Sequence, residues 1–68
     1  MNLVKLTLFR GSATIMLNPA TIVSMQECIS QKEYETEPTY YTEVKCVNGE
    51  TYQVLGRLED VANIIAYP

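Results

Sequence analysis

The residues best suited to chemistry are concentrated in one acidic, tyrosine-rich stretch, QKEYETEPTYY, at positions 31–41. Tyrosine offers rigid amphipathic contact area, and carboxylates select a basic partner. We therefore predict that residues 31–40 form a projecting hairpin tip that binds a protein. The candidate contact residues of this arm are Glu33, Tyr34, Glu35, Glu37, Tyr40 and Tyr41. The alternative is a solvated loop whose charges keep the flanking strands from pairing with other chains.

The same carboxylates do not indicate catalysis. The chain has no histidine, which is the commonest general base, and no Ser or Cys in a nucleophile context. Gly11, Gly49 and Gly56 are isolated and form no phosphate-binding motif. Cys28 and Cys46 lack a CxxC spacing, and the acidic residues do not follow a calcium-loop pattern. We expect no enzyme activity, no catalytic residue, no metal site and no cofactor.

Positive charge is sparse and scattered. Five Lys and Arg stand against eight Asp and Glu, which gives a net charge of −3. Binding to a nucleic-acid backbone needs clustered Lys and Arg, so we do not expect a nucleic-acid partner. A small, nucleotide-like anion would need a crevice lined by basic side chains. The candidates for such a contact are Arg10, Lys32 and Arg57.

Alternating apolar and polar residues predict strands in the first half of the chain. Residues 3–9 and 13–18 should form a hairpin around the turn Arg10-Gly11-Ser12. Asn18-Pro19 predicts a tight turn or a single helical turn over 18–21. A third strand should cover 22–30.

A fourth strand over 41–48 and a fifth over 50–56 meet at Asn48-Gly49, the strongest short-range hairpin signal. A two-residue turn of this type would pair Val47 with Glu50 and Lys45 with Tyr52.

The register of the preceding hairpin is less well determined. If its loop centres near Glu37, Cys28 faces Cys46 across the ladder, whereas a shift of one or two residues separates them.

After Gly56 the apolar period changes from that of a strand to that of a helix. The segment LEDVANII carries its apolar residues on one stripe, with Glu59 and Asp60 in the first turn. We predict a short helix that ends at Pro68 and must dock on the sheet, since it is too short to be stable alone.

The expected architecture is one domain over residues 1–68, mainly β with one C-terminal helix. The strands should form a five-stranded antiparallel meander or a small open barrel, with the helix over one face. Open strand edges on so small a chain favour association into a small homo-oligomer.

The order of these signals resembles the FlbD-like family of small proteins. The resemblance rests on VKLTLFRGSATIMLNPATIVSM, then VNGETYQV, then LEDVANII. It implies a short bacterial chain linked to flagella and swarming motility, or a related phage protein, with a regulatory or interaction role and no catalytic motif. Residues 31–40 are inserted relative to that pattern. Arg57 also follows Gly56 where the family commonly has Ser or Thr as a helix cap.

The function expected from the sequence is a non-catalytic interaction or regulatory module that acts through protein–protein contacts. The alternatives are a protein that binds or sequesters a small nucleotide-like molecule and an acidic inhibitor that occupies a basic groove of a partner. The start of the chain has neither a signal-peptide pattern nor an apolar run of membrane length. We therefore expect a cytoplasmic protein without membrane contact.

Overall fold

The structure, a computed structural model, describes residues 3–11, 13–34 and 36–66. The prediction of a mainly β chain with five strands and a C-terminal helix is confirmed. Ser12 of the first turn and Pro68 at the expected helix end lie outside the described residues. The elements in chain order are β1 (Val4–Thr7), β2 (Thr14–Leu17), β3 (Ile22–Ser30), β4 (Thr39–Cys46), β5 (Thr51–Leu55) and α1 (Leu58–Ala66).

The strands form two antiparallel sheets rather than one continuous meander. β1 pairs with β2, and β3, β4 and β5 form the second sheet in that order. The sheets meet at one bridge between Leu8 and Val54, supported by a 2.8 Å hydrogen bond from the Phe9 N–H to the Gln53 carbonyl. The arrangement is a small open barrel, and no ladder joins β2 to β3 among the described residues.

The predicted turn over 18–21 is confirmed as a single 3₁₀ turn over Pro19–Thr21. The Asn18 side chain accepts a hydrogen bond from the Ala20 N–H at 3.0 Å, and the Thr21 hydroxyl donates to the Asn18 carbonyl at 2.7 Å. Asn suits this position because its side chain bonds the backbone two residues later. Pro19 begins the turn, where no N–H is needed.

The last hairpin forms, but its predicted register is wrong by one residue. Lys45 pairs with Thr51, and Val44 rather than Lys45 lies opposite Tyr52. The Cys46 N–H donates to the Glu50 carbonyl, so Val47 and Glu50 are not partners and the loop has three residues instead of two. Gly49 has a φ of +87°. A left-handed glycine after a turn is the usual three-residue solution, and it shifts every pair by one.

The two cysteines do not face each other. Cys28 lies opposite Tyr41, and Cys46 lies opposite Ile22. The loop before β4 is therefore centred before Glu37, and the partner of Cys28 lies five residues before Cys46, a larger shift than the one or two residues that would have separated the thiols.

The core lies between the two sheets and the helix. Every member is at most 3% exposed, and half-buried side chains such as Ile15, Met25 and Ile65 pack around it. The buried apolar residues are Val4, Leu6, Val44, Cys46, Val54 and Val61. Thr42 is the one buried polar residue among those described, and its hydroxyl donates to the Gly56 carbonyl at 3.1 Å. The one buried hydroxyl among the described residues is thus hydrogen-bonded, and the apolar core around it is small.

Gly49→Ala should destabilise the protein by about 1 kcal/mol, because an L-residue is strained at positive φ. No heavy atom lies within 4 Å of the added Cβ, so the cost is that of the backbone alone. Urea unfolding would measure the change. Val47→Ala in the same loop is the control, since Val47 is 68% exposed and should change stability by less than about 0.5 kcal/mol. Equal stability of Gly49→Ala and wild type would contradict the left-handed turn.

Candidate functional site

Helix α1 is capped by a side chain from a distant strand. Gly56 and Arg57 precede Leu58, so no Ser, Thr, Asp or Asn is in place to cap it locally. The Glu27 carboxylate on β3 takes this role. Its Oε1 accepts a hydrogen bond from the Leu58 N–H at 3.0 Å and from the Arg57 Nε at 3.3 Å. Because a negative charge is favourable at a helix N-terminus, Glu27 fastens the helix to the sheet.

This contact changes the protonation equilibria of its members. The backbone hydrogen bond from Leu58, followed by the hydrogen bond from Arg57, lowers the pKa of Glu27. The hydrogen bond to Glu27 raises the pKa of Arg57. The Arg57 guanidinium also lies 4.3 Å from the centre of the Tyr40 ring. Arg57, one of the anion-binding candidates, is therefore already engaged within the chain.

The predicted partner-binding arm is divided between two environments. Glu33, Tyr34 and Glu37 lie exposed in the loop before β4, and Tyr34 is 81% exposed. The Lys32 ammonium lies 6.0 Å from the centre of the Tyr34 ring. Glu35 lies outside the described residues.

The two remaining tyrosines of the predicted arm belong to strand β4. Tyr40 is half-buried beneath Arg57. Tyr41 stacks on Phe9, with the ring centres 4.4 Å apart and the planes at 14°. Both rings therefore contribute to the folded body, and the exposed part of the arm is the loop itself.

The other two anion-binding candidates are brought together by the fold. Arg10, in the turn after β1, and Lys32, just after β3, line one crevice of about 490 Å³. Arg57 belongs to a different surface, with Glu27. Nothing in the sequence separation of Arg10 and Lys32 indicated that they would be neighbours.

Strand β3 is an open edge. It pairs only with β4 on one side, and no backbone hydrogen bond joins its other side to any part of the chain that the structure describes. The strand has nine residues, and Glu27 is its single charged residue. Val23 and Ile29 are each 62% exposed. Sequence reasoning predicted the strand but could not identify it as an edge, because the order of strands is a property of the fold.

Two further findings limit the kinds of site. Within residues 3–11, 13–34 and 36–66, no group of three or more His, Cys, Asp and Glu side chains is placed to hold a metal ion. Over the same residues, no helix is long and apolar enough to span a membrane.

Comparison of the chain with protein-family models, with curated proteins and with solved structures gives no significant match. The resemblance to the FlbD-like family therefore stays a prediction.

Removing the Glu27 carboxylate should lower the melting temperature at neutral pH, more for Glu27→Ala than for Glu27→Gln, because the amide oxygen can still accept from Leu58. The folded-state pKa of Glu27 is lowered from an ordinary value of 4.5. Its contribution to stability is therefore present above pH 4.5 and lost as the pH falls through the folded-state pKa. Melting curves from neutral to acidic pH should show the wild-type advantage over Glu27→Gln shrinking in that window.

Glu33→Gln is the matched control, because it removes one carboxylate from the exposed loop. It should leave the melting temperature near that of the wild type at neutral pH. A wild-type advantage over Glu27→Gln that stays constant on acidification would contradict the capping role of the charged form.

Proposed function

We propose that this chain is a non-catalytic protein-interaction module that forms a homodimer by antiparallel pairing of its β3 edges. The observation that carries the proposal is the open edge of β3. An unpaired strand edge presents a row of N–H and C=O groups that can pair with another chain. A second copy is the partner that supplies a matching row of equal length.

The composition of β3 favours pairing instead of preventing it. Soluble monomers protect edge strands with lysine, proline, bulges or a covering segment. The sequence of β3, IVSMQECIS, contains neither lysine nor proline. An irregularity interrupts the ladder only between Ile22 and Ser24, at the start of the strand. The remainder, from Ser24 to Ser30, is regular and free to accept a neighbour.

The exposed apolar residues of β3 are placed symmetrically. Val23 and Ile29 each lie three residues from Gln26. A two-fold axis at Gln26 would therefore bring Val23 of one protomer, which lies at the ladder irregularity, next to Ile29 of the other. Aliphatic cross-strand pairs of this kind stabilise a sheet by roughly 0.2–1 kcal/mol each. The same axis places Gln26 opposite its own copy.

Charge does not oppose this pairing. Glu27 is the one charged residue of β3, and its carboxylate is bonded to Leu58 and Arg57. The edge that two protomers would share thus carries a carboxylate that already has a cationic partner. This supports self-association of a chain whose net charge of −3 would otherwise act against it.

A different protein partner would bind at the loop before β4. Tyr34 offers an exposed aromatic ring, and Glu33 and Glu37 flank it with negative charge. These features suit a basic surface. The acidic-inhibitor alternative has less support, since the described carboxylates are spread over this loop, the first turn of α1, β3, β4 and the last hairpin.

Ile29→Lys should weaken the dimer by at least about tenfold in Kd, because each interface then loses two aliphatic contacts and gains two like charges along the paired edges. Ile29 is 62% exposed in the protomer, so the fold itself should tolerate the change. Sedimentation equilibrium would measure the association. Leu55→Lys on β5 introduces the same charge at a residue that is 48% exposed, and it should leave the dimer intact. Monomeric wild-type protein, or equal effects of both variants, would refute the β3 interface.

A cysteine at position 26 should cross-link two protomers, because opposed residues of an antiparallel pair have Cα atoms about 5 Å apart, within disulfide range. The test uses Gln26→Cys combined with Cys28→Ser, oxidised and examined by non-reducing electrophoresis. Thr51→Cys combined with Cys28→Ser is the matched control on β5. A covalent dimer only in the first variant supports the register. Equal cross-linking in both, or none in either, argues against it.

A further inference from the structure

A crevice between the β1–β2 turn and the end of β3 has the size of a small-ligand site. Its volume of about 490 Å³ lies within the range that small molecules occupy. The residues just after β1 contribute part of its lining, and the last residue of β3 and Lys32 contribute the rest. The lining residues are Phe9, Arg10, Gly11, Ser30 and Lys32.

The charge of this crevice is opposite to that of the protein. Arg10 and Lys32 are two of only five basic residues in a chain of net charge −3, and none of the described acidic residues lines the crevice. Arg10 has no hydrogen bond or ion pair with any other described residue. Lys32 contacts the Tyr34 ring, at 6.0 Å. By contrast, Arg57 is bonded to Glu27, so its surface is already compensated.

The wall that carries Arg10 is held in place by its neighbour. The Phe9 N–H donates to the Gln53 carbonyl at 2.8 Å, and the Phe9 ring stacks on Tyr41. These contacts fix the start of the turn against the second sheet. Gly11 follows with a φ of +77° and no Cβ, which leaves the backbone accessible from the crevice. Arg10 thus follows an anchored residue and lines the same crevice as Lys32.

We propose that this crevice binds a small organic phosphate. A guanidinium and an ammonium in the lining of one crevice suit a phosphate monoester, which presents several charged oxygens to more than one donor. The Ser30 hydroxyl is a further donor in the same lining. Phe9 supplies an aromatic surface for the organic part of the ligand. Ser30 is also the last residue of β3, so this site adjoins the edge that the proposed dimer would pair, but its charged residues, Arg10 and Lys32, lie outside the strand.

The test is isothermal titration calorimetry at constant ionic strength, with adenosine monophosphate and ribose 5-phosphate as probes and adenosine as the uncharged comparison. Both phosphates should bind with a Kd of about 1 mM or tighter, and adenosine should not bind at these concentrations. Arg10→Gln and Lys32→Gln should each weaken binding of adenosine monophosphate at least about tenfold, because each removes a charge-assisted hydrogen bond.

Lys45→Gln is the matched control, since it removes the same charge from an exposed residue of β4 outside the crevice. It should retain wild-type affinity, and melting curves should show that all three variants are folded. The proposal is overturned if neither phosphate binds at up to about 10 mM. It is equally overturned if Lys45→Gln weakens binding as much as the two crevice variants, or if adenosine binds as well as its phosphate. The dimerisation measurements on Ile29→Lys are independent of these outcomes.

Discussion

The attachment of helix α1 to the sheets depends on the hydrogen bond between the Glu27 carboxylate and the start of the helix. A helix of nine residues is unstable alone in water, and this one lacks a local cap. Glu27 provides the cap from β3, and Val61 then enters the core between the sheets. The same carboxylate pairs with Arg57, which covers Tyr40. One side chain therefore joins the helix, the strand and the connecting segment.

The small core explains why the outer surfaces matter. Among the described residues, six buried apolar side chains hold two sheets and a helix, while apolar residues such as Val23, Ile29 and Tyr34 remain exposed. Closing the barrel between β2 and β3 would have hidden a strand edge, but no ladder forms there among the described residues. One edge of β3 thus stays without a strand partner in the part of the chain that the structure describes. Both the open edge of β3 and the basic crevice result from how the β1–β2 hairpin packs against the sheet of β3, β4 and β5.

Local patterns predicted the elements more reliably than their partners. The alternation in β1, the strand predicted over 22–30 and the turn at Asn18 involve only neighbouring residues, and they were confirmed. The last hairpin was assigned correctly, but its register was not, because Asn48-Gly49 is compatible with both a two-residue and a three-residue loop. One extra loop residue moves Tyr52 from Lys45 to Val44. The missing cap before Leu58 was visible in the sequence, yet its replacement lies 31 residues away.

The sequence alone determined the periodicity of the strands, the turn chemistry, the amphipathic helix and the scarcity of positive charge. Each of these is a short-range property of residue type and spacing. The tertiary structure alone decided that β3 is an edge, that Glu27 caps α1 and that Arg10 and Lys32 line one crevice. These depend on which strands pair and how the sheets meet, and many chain paths satisfy the same local pattern. Only the packing of the two sheets and the helix against one another selects one of these chain paths.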